Sequence, residues 1–328
     1  MSRTTRVLLV LFLIVLVVPT ILVAPVQAQE GSETDDPDMA QQVAKLSWRG
    51  IGPAFMSGRI TEIAIDPSDS STWYVSAASG GVWKTTNAGV NFEPIFDKYG
   101  SYSVGTVVVD SHNPLVVWVG TGENNSQRSV AYGDGIYKSV DGGRSFKNMG
   151  LEESEHIARI LVHPDNSDIV YVAAQGPLWR SGGDRGVYMT GDGGESWTKI
   201  LEISDDTGIS DLIVDSRDPD VMYAAAYQRR RHVWTLLDGG PEAGIYKTTD
   251  GGESWNQLTN GLPFGDIGRI ALAISPQNPD VVYSLVDAAE ERGTYVSTNA
   301  GASWSKRSDY VSGSPQYYQE LITDPHQF

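Results

Sequence analysis

The chain has 328 residues, 40% of them apolar, no cysteine and a formal net charge of −17 at pH 7. That acidity excludes the basic face a nucleic-acid binder requires and disfavours adhesion to anionic lipid. The missing cysteines exclude a disulfide scaffold, thiolate metal sites and the anchoring cysteine of a bacterial lipoprotein.

In chain order, Arg3 and Arg6 form a basic start, Val7 to Val23 is an apolar run of 17 residues, and Val26-Gln27-Ala28 is a small-residue cleavage site. Residues 1–28 therefore read as a secretory signal peptide, with an uncleaved N-terminal anchor as the alternative. Residues 29–44 carry Glu30, Glu33, Asp35, Asp36 and Asp38 and read as a flexible acidic linker. No later stretch is long and apolar enough for a membrane span.

From residue 45 the chain repeats. Five segments align without gaps: GVWKTTNAGVNF from Gly81, GIYKSVDGGRSF from Gly135, GVYMTGDGGESW from Gly186, GIYKTTDGGESW from Gly244 and GTYVSTNAGASW from Gly293. Their Asp or Asn positions are Asn87, Asp141, Asp192, Asp250 and Asn299, at intervals of 49 to 58 residues. Each segment predicts a hairpin. An aromatic and β-branched strand comes first, Asp or Asn caps the turn, glycine follows, and Phe or Trp anchors the return strand. Before each hairpin lies a second strand pair, such as Ile63–Pro67 with Trp73–Val75 and Leu212–Asp215 with Val221–Tyr223. Four antiparallel strands about every 50 residues predict an all-β fold, a β-propeller.

Near the chain end, Glu320–Pro325 reads as the opening strand of a sixth blade. Ser47-Trp48-Arg49 resembles the closing strand of a blade, as in Ser196-Trp197-Thr198. The expectation is an incomplete propeller at residues 45–328. It has five blades, the start of a sixth and a latch strand, as the N-terminal part of a longer ring with an exposed sheet edge.

The five segments resemble the Asp-box (BNR-type) repeats of sialidase-like and sortilin-like propellers. SWRGIGPAFMSGRI, GGVWKTTNAG, WVGTGENN, GDGIYKSVDGG and YQRRRHVW resemble large secreted bacterial proteins with a sortilin-type propeller, often labelled glycosyl hydrolases. The resemblance covers roughly residues 45 to 328 and implies the fold far more strongly than any activity.

Function is expected on the face formed by the loops between strands two and three and between blades. The second such loop, Gly120–Asp134, carries Glu123, Asn124 and Arg128; the third, Gln175–Arg185, carries Trp179 and Arg180. The fourth, Tyr227–Ala243, carries Arg229, Arg230, Arg231 and Trp234. Arginines beside aromatics suit a carboxylate, sulfate or phosphate, and the tryptophans suit sugar rings or peptide side chains. The bland alternative pairs the arginines with nearby acids and packs the tryptophans under loops. Glu62, Arg159, Asp211, Arg269 and Glu320 sit near the start of strand one and are expected to line the channel.

The box residues Asn87, Asp141, Asp192, Asp250 and Asn299 are read as structural turn caps. No cofactor or metal is predicted. The five histidines form no zinc cluster, and the Asp-rich turns lack the spacing of a calcium loop. The Phe-Arg-Ile-Pro signature of sialidases is absent; its nearest match is Gly58-Arg59-Ile60-Thr61. A secreted module binding a protein, peptide or carbohydrate is the first reading. The alternative is a glycoside hydrolase, for which Glu123 and Asp184 are candidate carboxylates; a purely structural module comes third.

Overall fold

The computed structural model describes Lys45, residues 59–125 and residues 130–326. The expected signal segment, the acidic linker, the Ser47–Arg49 strand and Arg128 lie outside the described residues.

Each repeat forms one antiparallel blade. The first holds β1 (Ile60–Ile65), β2 (Trp73–Ala77), β3 (Gly81–Thr85) and β4 (Glu93–Pro94). The second holds β5 (Val104–Val109), β6 (Val117–Thr121), β7 (Ile136–Ser139) and β8 (Lys147–Asn148). The third holds β9 (Ile157–His163), β10 (Asn166–Ala174), β11 (Gly186–Thr190) and β12 (Thr198–Leu201). The fourth holds β13 (Thr207–Asp215), β14 (Asp218–Arg231), β15 (Leu236–Asp238), β16 (Gly244–Thr248) and β17 (Asn256–Leu258). The fifth holds β18 (Ile267–Ile274), β19 (Val282–Ala288), β20 (Gly293–Ser297) and β21 (Ser305–Ser308). Strands follow sequence order within each sheet, with β15 as a side branch on β14. This is the meander of a propeller blade.

The inner strands β1, β5, β9, β13 and β18 touch in that order around a common axis. Residues from all five, with Leu321, Ile322 and Thr323, line a channel of about 530 Å³. Residues 319–324 make no strand ladder. They occupy the next inner position through side chains: Gln319 Nε2 donates to Arg269 O at 2.6 Å and Thr323 Oγ1 to Ile274 O at 3.0 Å. Four apolar cores fill the spaces between successive blades. Val82, Phe96, Val107 and Val117 lie between the first two, and Ile245, Ile270, Leu272 and Val286 between the last two.

The box residues are consumed by their own turns. Ser139 Oγ donates to Asp141 Oδ1 at 2.8 Å, and Asp141 accepts from Ser145 N at 2.9 Å and Ser145 Oγ at 2.6 Å. The same set recurs at Asp192 with Ser196 and at Asp250 with Ser254. Asn87 and Asn299 keep the geometry, accepting from Asn91 N and Ser303 N. The hydroxyl and amide bonds from Ser145 hold the Asp141 carboxyl down at about 2; those from Ser254 and Thr248 hold Asp250 at about 2. A carboxyl depressed in the folded state stabilises above its unfolded pKa of about 4, and that contribution disappears as pH falls toward the folded value. The variant Asp141→Asn/Asp192→Asn/Asp250→Asn should therefore lose less stability than the parent between about pH 4 and pH 2. Urea midpoints at each pH measure this; parallel curves would contradict it.

A second device joins neighbours. Tyr74 Oη donates to Gly142 O at 3.1 Å, and Lys84 Nζ reaches the same carbonyl at 2.8 Å while lying 5.0 Å from the Tyr74 ring. Tyr223 and Lys247 repeat this on Ala300 O, at 2.9 and 2.7 Å. The first and fourth blades thus grip the box turn of the blade that follows each. The third blade carries Met189 at the lysine position.

Candidate functional site

The loop face holds an open cleft of about 630 Å³, lined by Ser79, Gly100, Ser101, Tyr102, Val130, Ala131, Tyr132 and Trp179. Tyr102, Tyr132 and Trp179 are 66, 71 and 54% exposed. Exposed aromatics in a concave site are binding surfaces far more readily than packing.

The loops that carry them are fixed from beneath. Arg185 donates to Gln175 O at 2.7 Å, Gly182 O at 3.1 Å and Arg180 O at 3.0 Å, and also contacts Pro177 O. One guanidinium thus gathers the loop that presents Trp179, and the Arg231 guanidinium lies 5.9 Å from that ring. Ser101 Oγ and Ser103 Oγ hold the carbonyls of Tyr132 and Ala131 at 3.0 and 2.9 Å.

The expected site residues divide. Trp179 lines the cleft; Arg180 stands beside it, 3.3 Å from both Glu153 and Glu155. Glu123 is buried and ion-paired with Arg59, so it presents no free carboxylate to the cleft. Asn124 is buried and its carbonyl accepts from Arg229 at 3.2 Å. Asp184 accepts from Glu153 N at 3.1 Å. Tyr227–Ala243, expected as a loop, instead extends β14, with Arg229, Arg230 and Arg231 paired to Asp238, Leu237 and Leu236. Strand alternation separates the arginines: Arg229 is buried, whereas Arg230 Nη1 sits 2.5 Å from Asp206 Oδ1. Trp234 stands at the hairpin tip, stacked on His232 with centroids 5.4 Å apart.

Four of the five expected channel ions meet. Arg159 lies 2.7 Å from Glu62, 3.0 Å from Asp211 and 3.9 Å from Glu320. Arg269 turns instead to Asn125 Oδ1 at 2.6 Å and Gln316 O at 3.1 Å. Tyr102, Tyr132, Arg59, Arg185 and His156 were not singled out by the sequence. The one signal for the two tyrosines was an aromatic in a Gly/Ser-rich stretch. Among the described residues, no group of three or more His, Asp or Glu is placed to hold a metal, and no helix is long and apolar enough to cross a membrane.

Sheet order, box hairpins and channel define a β-propeller of the Asp-box class. Residues 134–263 and 185–323 match the family described as Sortilin-Vps10 (sortilin, neurotensin receptor 3). These matches together span more than half of the chain, and the chain belongs to that family. Among curated relatives it is 24% identical over 221 residues to a xyloglucanase of Paenibacillus sp, covering 60% of this chain and 20% of that protein. It is 26% identical over 233 residues to the xyloglucanase Xgh74A of Acetivibrio thermocellus, covering 60% of this chain and 25% of that one. The chain thus spans a fifth to a quarter of these relatives. The GH74 xyloglucanase structure from Xanthomonas campestris superposes with a TM-score of 0.58 at 18% identity, over 75% of this chain and 38% of that one. The Niastella koreensis GH74 enzyme gives 0.57 at 18% identity, over 76% of this chain and 38% of its own. These structures share the fold.

Proposed function

We propose that the chain is part of an exported, polysaccharide-directed propeller of glycoside-hydrolase type, and that it contributes a wall on which sugar rings stack. The aromatic cleft carries this reading: Tyr102, Tyr132 and Trp179 offer flat apolar faces with polar rims, which suit the C–H faces and hydroxyls of sugars. The names of the relatives point to xyloglucan and to hydrolysis. Export rests on the N-terminal signal pattern. Hydrolysis requires two carboxylates flanking the scissile bond. The described cleft lining holds none, and its three exposed aromatics support sugar binding. In a hydrolytic protein the carboxylates stand outside this lining.

Trp179→Ala and Tyr132→Ala are each expected to weaken xyloglucan-oligosaccharide binding about two- to tenfold by calorimetry, the range of one aromatic contact. Parent-like affinity in both variants would remove the cleft from the site. Reducing-sugar release by the full-length protein tests hydrolysis separately.

A further inference from the structure

Beside the cleft, at the same end of the channel, lies a buried cluster of cations whose nearest acids, Asp238 by Arg229, Asp206 and Glu155 by Arg185, and Asp211 and Glu320 by Arg269, act on them without direct ion pairing. His156 immediately precedes β9, Gln175 follows β10, Asn124 follows β6, Arg229 continues β14 and Arg269 lies in β18. Arg229 and Arg269 are each 3% exposed, and His156 and Gln175 are equally buried. Among the described residues, Arg185, Arg229 and Arg269 have no carboxylate partner within ion-pair distance, and their bonds go to carbonyl and amide oxygens. Among the described residues, Arg229 Nη2, Arg269 Nε, His156 Nδ1 and both amide atoms of Gln175 find no hydrogen-bond partner.

Such a grouping is costly in an empty protein. Burial first, then Arg229 and Arg185, hold His156 well below the usual imidazole range, so the ring is neutral at pH 7. Burial, with Arg269 beside it, lowers Arg229 to about 10 against the pull of Asp238; burial and Arg229 lower Arg185 to about 10 against Asp206 and Glu155. Buried cations with idle donors call for a bound anion or ordered water. Planar guanidinium forks fit a carboxylate in particular.

We propose that this end of the channel binds the carboxylate of an acidic sugar, a uronic acid residue, within the glycan held by the aromatic cleft. The inference rests on the glycan reading above. The two sites are tied together through the protein: Arg185 anchors the loop that presents Trp179, and Glu123 N and Asn124 O connect the Ala131 segment to Arg229.

The test titrates the full chain with an oligogalacturonate and a neutral xyloglucan oligosaccharide. The parent should bind the uronate, and its thermal midpoint should rise with it. Arg229→Met should weaken uronate binding about ten- to a hundredfold, as expected for lost charge-assisted bonds, and leave the neutral sugar unaffected. The unliganded variant should melt at or above the parent, because a fully buried charge with no direct ion-pair partner is gone. No uronate binding by the parent, an equal response to sulfate, unchanged uronate affinity in Arg229→Met, or a lowered midpoint overturns the inference. Trp179→Ala separates the two readings: if it spares both sugars while Arg229→Met abolishes uronate binding, the anion site stands and the cleft reading fails. If Trp179→Ala weakens the neutral sugar and uronate is ignored, the reverse holds.

Discussion

Replacing Arg159 with methionine should destabilise the folded chain by about 3 kcal/mol, the lower end of the range for breaking a buried ion pair. The lower end applies because the Arg159 side chain remains 28% exposed. Its guanidinium touches Glu62 of the first blade and Asp211 of the fourth from its own place in the third. Asp211 in turn accepts Leu272 N of the fifth blade at 3.0 Å. The apolar cores run between neighbours, so this group, like the Arg229–Asn124 and Arg269–Asn125 bonds, couples blades that share no core. Without Arg159, the carboxylates of Glu62, Asp211 and Glu320 are left together in the channel without their shared cation. The melting midpoint should fall by roughly 6–12 °C for a domain of this size. Arg159→Met/Asp211→Asn should recover most of the loss, since removing both charges costs far less than stranding one. A loss within about 0.5 kcal/mol, the level of an exposed pair, would show the cluster to be ordinary solvation.

The pH dependence has a definite sign. Burial pushes the Glu62 carboxyl above its ordinary value, against the pull of Arg159. The folded state then holds that proton more tightly than the unfolded chain. This group therefore favours folding at low pH, and the benefit fades as pH rises from the ordinary carboxylate value through the raised one. Losing Arg159 removes the opposing charge, so the variant's deficit should be larger at pH 8 than at pH 5. Urea denaturation of both proteins across this range measures it.

The scaffold was legible because its determinants are local. Ser/Thr, Asp/Asn and Gly fall within five residues, and each box closes through bonds spanning two to four positions. The inner-strand ions were legible as a class, since they recur at the same place in strand one. Their pairing was not, because Arg159 and Glu62 are 97 residues apart. The β14 extension was missed for a physical reason. Gln228-Arg229-Arg230-Arg231 has no apolar alternation, and it is stranded only because Leu236–Asp238 folds back to complete the ladder. The aromatic cleft was half visible: Trp179 was conspicuous in its loop. Tyr102 and Tyr132 become partners to it only when three blades bring their loops to one face.

The junction between the second and third blades yields the other large effect, at Trp118. This side chain is fully buried between the second and third blades with Val116, Met149, Val170, Tyr188 and Trp197. It occupies the strand position that holds Tyr74 in the first blade and Tyr223 in the fourth. Lys138 Nζ lies 4.8 Å from its ring and donates to Gly193 O at 2.8 Å, completing the same junction. Gly194, at φ +99°, sits so close that an added Cβ would lie 2.8 Å from the ring, so the box turn is moulded onto the indole. Trp118→Ala should cost about 3–5 kcal/mol through lost burial and the cavity left behind. Trp118→Tyr should cost far less, because a phenol is the side chain other blades use here. Its hydroxyl would reach toward Gly193 O as Tyr74 Oη reaches Gly142 O. Among the described residues, the indole nitrogen it replaces finds no hydrogen-bond partner. Calorimetric melting of the two variants decides the matter. If tyrosine proves as damaging as alanine, the junction depends on the bulk of the indole, and the equivalence of the junctions is wrong.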